Sequence, residues 1–196
     1  MKKHDLTFTI IGGAFKGKKL PLPSKETTRA TKSIIRGSVF DTLQFEIVDE
    51  IFVELFGGSG SMGLEALSRG AKKVYFFEKN RAAAKILAQN AAALDPKRTQ
   101  LIQGDAFENF PLLADSLRAQ GRQAFLYIDP PFDIREGMEG IYAQTEQLIA
   151  AIPPEIVLRI IVEHMSSVKF ADKIGPFIKQ KSKKFGKTTL TYYSVA

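Results

Sequence analysis

Four glycines fall within seven positions of FGGSGSMG (56–63), directly after the apolar run IFVEL (51–55). An apolar strand that enters such a turn and leaves it as a helix restricts the fold to a few α/β arrangements. Gly58-Ser59-Gly60-Ser61-Met62-Gly63 fits G-x-G-x-x-G, a weak signal alone. Glu78, twenty residues after Gly58, strengthens it by ending a second apolar run, KVYFFE (73–78). Glycines in such a turn let the backbone approach a ligand where a Cβ would collide, and the acid can accept both ribose hydroxyls. A turn that needs positive φ accounts for one glycine better than for four.

The alternation continues along the chain. From Gly63 the spacing of Leu64, Leu67 and Ala71 predicts a helix stopped near Gly70. An Ala-rich helix is expected at 81–94, broken by Asp95-Pro96, and a third strand at 99–104. A helix at 111–120, a fourth strand at 124–129, a helix near 138–150 and a fifth strand at 157–164 follow. Short apolar strands alternating with helices imply a parallel sheet covered on both faces. FIKQKSKKFGKTTLTYYSV reads instead as two strands around Phe185-Gly186-Lys187, an antiparallel hairpin at a sheet edge. Residues 1–26 are strand-like and turn-rich, and 31–43 are expected to form an amphipathic helix.

Charge is distributed unevenly. Residues 1–40 hold nine Lys/Arg and two acids, net +7; residues 169–196 hold seven Lys and one acid, net +6. The segment 41–168 holds twelve Lys/Arg and eighteen acids, net −6. Two basic ends flanking an acidic centre suit a polyanionic partner, which favours nucleic acid. The chain has no cysteine, and His4 and His164 are its only histidines. Disulfides and thiolate sites are thereby excluded, and no metal site is expected. No apolar run approaches the ~20 residues of a membrane span. MKKHDLTFTI carries no apolar signal segment, so a soluble cytoplasmic protein is the expectation, with a monomer as the default.

Two cofactors fit the glycine turn. A dinucleotide would set its pyrophosphate on the helix N-terminus, whereas S-adenosylmethionine, which lacks phosphate, would lay its methionine moiety along the loop and its adenosine toward Glu78. Glu54, just before the loop, would repel a pyrophosphate; it can instead orient the loop or reach an ammonium through water. Asp105 can accept from an adenine amino group or cap the turn that follows it. At the end of the fourth strand stands Asp129-Pro130-Pro131-Phe132. For methyl transfer to the exocyclic amine of a nucleobase, the Asp129 carboxylate and Pro130 carbonyl can accept the two N–H bonds and free the nitrogen lone pair. The prolines hold that geometry rigid, and Phe132 offers a face for the base.

The chain resembles the bacterial small-subunit (16S) ribosomal RNA guanine-N2 methyltransferases of the RsmD type. The resemblance is carried by IIGGAFKGKKLPLP, TRATKSIIRGSVFDTL, FGGSGSMGLEALSRGA, FFEKN, DPPF and IVEH. It implies a Rossmann-like class I methyltransferase with a mostly parallel seven-stranded sheet and an antiparallel C-terminal hairpin. A small hairpin-plus-helix extension for RNA binding (1–45) would precede the core (46–196). S-adenosylmethionine would be the donor, yielding S-adenosylhomocysteine, and the acceptor a guanine of ribosomal RNA within a partly or fully assembled small subunit. By position, Glu54, Phe56, Gly57, Gly58, Gly60, Gly63, Glu78, Lys79, Asp105, Ala106 and Asp129 would hold the cofactor. Asp129, Pro130, Pro131 and Phe132 would hold the guanine amine. Lys16, Lys18, Lys19, Arg29, Arg36, Lys184 and Lys187 would meet RNA, with an ion pair to the acidic core as the competing role of the two arginines. Ala30 replaces the family's usual Pro and Gly37 a common acid, so a looser 28–38 segment is expected; Glu54 replaces the more frequent Asp. Adenine N6 or cytosine N4 is the alternative acceptor, and a non-catalytic RNA-binding assembly factor the alternative role.

Overall fold

The computed structural model describes residues 6–23, 29–131 and 140–196, with the backbone alone at 29–31. β1 (Thr7–Thr9) and β2 (Lys19–Pro21) form an antiparallel hairpin. α1 (Arg29–Leu43) follows, then a single 3-10 turn at Gln44–Ile47. The core alternates as expected: β3 (Ile51–Leu55), α2 (Ser61–Ser68), β4 (Lys73–Glu78), α3 (Arg81–Leu94), β5 (Thr99–Gln103), α4 (Ala106–Ala119), β6 (Ala124–Ile128), α5 (Ile141–Ala151) and β7 (Val157–Met165). β8 (Lys173–Ile174), β9 (Phe177–Phe185) and β10 (Thr188–Val195) complete the chain.

The main sheet runs β5-β4-β3-β6-β7-β10-β9-β8, parallel from β5 to β7 and antiparallel beyond. It therefore has one strand more than expected: β8, two residues long, pairs Ile174 with Phe177 across a turn at Gly175 and carries no periodicity that a sequence could reveal. From β3 the chain winds outward through β4 and β5, then returns to β6 on the other side. The crevice at that reversal lies between β3 and β6, where doubly wound sheets bind ligands.

Alternation along β3 and β6 explains both layers. Val53, Leu55, Leu126 and Ile128 face α4 and α5, while Phe52, Phe125 and Tyr127 face α1, α2 and α3. Ile35, Val39, Phe40 and Leu43 of α1 belong to the second layer, together with Phe8, Ile10 and Leu20 of the hairpin. The N-terminal extension thus shares a hydrophobic core with the sheet. Residues 29–38 of the segment expected to be looser are helical; at Gly37 an added Cβ would meet only Ile11 Cδ1, at 3.7 Å. The start of α4 corrects an expectation. The helix starts five residues before Pro111 because the Asp105 side chain accepts from the Phe107 N–H (2.9 Å) and caps the helix there.

A buried acid fastens the extension. Glu65 of α2 is fully buried, accepts from the Ile11 N–H (2.9 Å) and from Arg69 (2.9 Å), and forms an ion pair at 3.4 Å with Arg36 of α1. Removing one partner from such a cluster leaves uncompensated charge in the interior. Glu65→Gln is expected to destabilise the protein by about 3 kcal/mol, a fall of roughly 6–12 °C in Tm for a chain of this size. A thermal shift no larger than that of Glu108→Gln on the surface would contradict this reading.

Candidate active site

The glycine turn is built by its neighbours. Gly57 N–H donates to the Phe77 carbonyl (2.6 Å), and Gly60 adopts φ +79° as the residue before α2. At Gly63, inside α2, a Cβ would lie 2.4 Å from Phe76 Cε1, so only glycine lets this helix close on β4. Phe56 holds φ +73°, a conformation rare outside glycine, and packs edge-on against Phe107 of α4. Above Gly58 the space is open: a Cβ there would meet no atom within 4 Å. That is the form of a cradle for a ligand without bulk at its contact edge.

Two acids fix the turn. Glu78, at the end of β4, accepts from Gly58 N–H with one oxygen and from Asn80 N–H with the other, both at 2.7 Å. Glu54, 4 % exposed on β3, accepts from Gly63 N–H at 2.7 Å. Of its two expected roles, loop orientation is the one seen. Burial pushes the Glu54 carboxyl up to about 8, and the charge of Asp129 adds to this, against the opposing N–H bonds of Gly63 and Met62. At the adjacent strand end, Asp105 caps α4 and pairs with the exposed Lys79 (2.9 Å). Burial opposes its charge, yet that ammonium and the cap hold its carboxyl below the usual range. Ala106, buried, opens α4.

Asp129 follows directly on β6, with Pro130 buried and Pro131 half-buried after it; Phe132 lies outside the described residues. Register pairs Ile128 with Val162, so the chains bring Asp129 and Glu163 side by side one step further on. Lys32 of α1 reaches both, 2.8 Å from Asp129 Oδ2 and 2.8 Å from Glu163 Oε1. The Tyr127 hydroxyl donates to Glu163 Oε2. Burial works against the Lys32 ammonium, but the two carboxylates raise its affinity for the proton far above the ordinary. Lys32, Glu163 and Tyr127 have no role in the sequence reading. A signal exists for Lys32, which shares the apolar face of α1 with Ile35 and Val39 at helical spacing.

The basic residues divide between the two ends of the sheet. Lys184 and Lys187 are exposed at the β9–β10 turn, beside the carboxyl end of β7, where Ser166 N–H donates to the Lys187 carbonyl. The turn with Lys16 and Lys18 docks instead on Ser68 at the carboxyl end of α2, and Lys18 donates to the Ala93 carbonyl near the end of α3. Lys16, Lys18 and Lys19 are exposed, but this anchoring directs the hairpin tip away from Asp129. Arg36 corrects an expectation. It is 3 % exposed, spans Glu65 and the Thr9 carbonyl (2.8 Å), and lies over the Phe8 ring, out of reach of a phosphate. Arg29 opens α1, and its side chain lies outside the described residues. Among the described residues there is no group of acids and histidines that could hold a metal, and no helix long and apolar enough to cross a membrane.

The family model described as Conserved hypothetical protein 95 matches residues 8–194. The chain is 35 % identical over 123 residues to "Ribosomal RNA small subunit methyltransferase D" of Escherichia coli strain K12. That alignment spans 63 % of this chain and 59 % of the relative's length. The solved structure of yhhF from Escherichia coli superposes with a TM-score of 0.73 at 28 % identity, covering 97 % of this chain and 98 % of that one. The fold also matches SMU.776, solved in complex with S-adenosylhomocysteine, with a TM-score of 0.60 at 12 % identity over 91 % of this chain and 52 % of that one.

The raised Glu54 pKa has a sign that can be tested. The folded state retains a proton that the unfolded chain releases near the ordinary carboxylate value, so this group's stabilisation is complete in acid. It is lost progressively as pH rises from about 4.5 to about 8. Glu54→Gln keeps an acceptor for Gly63 N–H without that loss. Its stability relative to the parent is expected to rise with pH across this window in urea titrations; a constant difference would contradict the burial of a titrating acid.

Proposed function

Since the chain belongs to the family described as Conserved hypothetical protein 95, we propose that it transfers a methyl group from S-adenosylmethionine to the exocyclic 2-amino group of a guanine in small-subunit ribosomal RNA. The observation that carries the reading is Asp129, a carboxylate on a proline-braced strand end beside the glycine cradle at the reversal of the sheet. The name of the Escherichia coli relative supports the ribosomal acceptor, and the ligand of SMU.776 supports the donor. The acceptor is read as RNA in a partly or fully assembled subunit, met by a cytoplasmic monomer whose residues 1–45 add to the RNA surface of a 46–196 core.

The residues fit this donor. The open space over Gly58 suits a methionine moiety without phosphate. Glu78 keeps acceptor capacity for the ribose hydroxyls, and Asp105 for the adenine amine. When bound, S-adenosylmethionine supplies an electrophilic methyl whose C–S bond breaks as the N–C bond forms, the electron pair returning to sulfur. Asp129 and the Pro130 carbonyl accept the two N2–H bonds, favouring a more tetrahedral nitrogen whose lone pair is less delocalised into the ring and free to attack the methyl. The proton that the methylated nitrogen sheds passes to Asp129 or to water. Two prolines restrict the strand end, so the acceptors stay in place for an in-line approach. Phe132 serves as the stacking face for the base.

Labelled methyl from S-adenosylmethionine is expected to enter ribosomal RNA or partly assembled small subunits as N2-methylguanine. Asp129→Ala should lower the single-turnover rate by about 100-fold or more with little change in donor affinity. Label found at adenine N6 or cytosine N4 would replace the acceptor, and no label despite tight donor binding would favour an RNA-binding assembly factor. Charge reversal at Lys184 and Lys187 is expected to flatten the salt dependence of RNA binding, lowering its log–log slope by about one per lysine. The same change at Lys16 and Lys18 should have a smaller effect. The opposite ranking would move the RNA to the hairpin end of the molecule.

A further inference from the structure

The N-terminal extension delivers one side chain to the reacting edge of the sheet. Lys32, three residues into α1, spans Asp129 and Glu163 at 2.8 Å each. We propose that Lys32 is a positioning residue for methyl transfer: anchored on Glu163, its ammonium holds Asp129 as an oriented carboxylate for the incoming amine. This rests on the function proposed above and deepens it.

The two sides of the bridge differ. Glu163 is 1 % exposed, its second oxygen taken by the Tyr127 hydroxyl, and the strands on either side of β7 fix its backbone. Asp129 and Lys32 are 25 % and 38 % exposed, so the bridge is buried at Glu163 and partly exposed at Asp129, where a base must arrive. A tether needed only to fasten α1 would work on any surface acid. Here fastening is already supplied by Arg36, Glu65 and the apolar face of α1. The cation stands instead on the one carboxylate that follows β6 at the crevice.

The chemistry supplies the need. Among the described residues, the groups facing Asp129 are Lys32 from α1, Glu163 from β7, and Glu54 and Tyr127 from β3 and β6; Lys32 is the cation among them. Carboxylates crowded together favour protonation of one of them unless a cation intervenes. A protonated Asp129 would present an O–H to the amine N–H, donor against donor. With Lys32 in place the carboxylate stays an acceptor, and its Oδ2 is fixed in direction. The target amine is neutral on arrival, so a nearby ammonium does not repel it. No proton moves to or from Lys32 in the reaction.

Lys32→Met and Lys32→Gln remove the charge, and Lys32→Arg keeps it. Two readouts are needed: the titration of the Asp129 carboxyl by carbon-13 NMR, assigned with Asp129→Asn, and single-turnover methyl transfer to small-subunit RNA as a function of pH. In the neutral variants the Asp129 titration and the acid limb of the rate are expected to rise together by about 1 pH unit or more. At a pH below the limb, the rate should fall about tenfold for each pH unit by which the limb has moved, with donor affinity within about twofold of the parent. Lys32→Arg should restore the limb. A parent protein that transfers no methyl overturns the proposed function. An active parent whose acid limb and Asp129 titration are the same in both neutral variants overturns the role of Lys32 alone.

Discussion

Two carboxylates meet one ammonium at the carboxyl ends of neighbouring parallel strands, and the register of the sheet makes the meeting obligatory. Ile128 pairs with Val162, so Asp129 and Glu163 must emerge together at the end of the β6–β7 ladder. Side chains alternate along a strand, which sends Tyr127 and Asp129 to one face, the face that α1 covers. A helix crossing there must bring either apolar surface that abandons the acids or a cation that satisfies them. Lys32 is that cation.

The same demand explains why the N-terminal extension is part of the core. α1 carries two cations on its buried stripe, Lys32 and Arg36, each with an acid waiting for it: Asp129 and Glu163 for the first, Glu65 for the second. Glu65 also holds Ile11 and Arg69, so one buried carboxylate ties hairpin, α1 and α2 together. The acidic middle of the sequence and its basic N-terminus therefore meet inside the protein as well as at its surface. Charge asymmetry alone reads as a binding surface; part of it is internal compensation.

Much of this was legible from residue patterns. The glycine turn, Glu78 and the D-P-P strand end stand out because each breaks the local rule of its element, and five core strands announce themselves by apolar runs between turn residues. What failed to show has identifiable causes. Pro111 reads as a helix start, but the Asp105 cap six residues earlier outweighs the one backbone bond lost at the proline. Arg36 looks like a phosphate ligand until Glu65 is placed opposite it, 29 positions away in sequence. Lys32 needs Glu163, 131 positions away. Long-range pairing of this kind leaves no local signature. Nor does the direction of the β1–β2 turn, which is set by bonds to the distant Ser68, Glu65 and Ala93.

We propose that this sheet edge methylates a guanine amine in small-subunit ribosomal RNA, and nucleoside mapping of that RNA from cells with and without the gene is the decisive experiment. One N2-methylguanine present with the gene and absent without it, restored by the parent protein and not by a copy lacking the Asp129 carboxylate, is the predicted result. An identical set of modified guanines in both would contradict it.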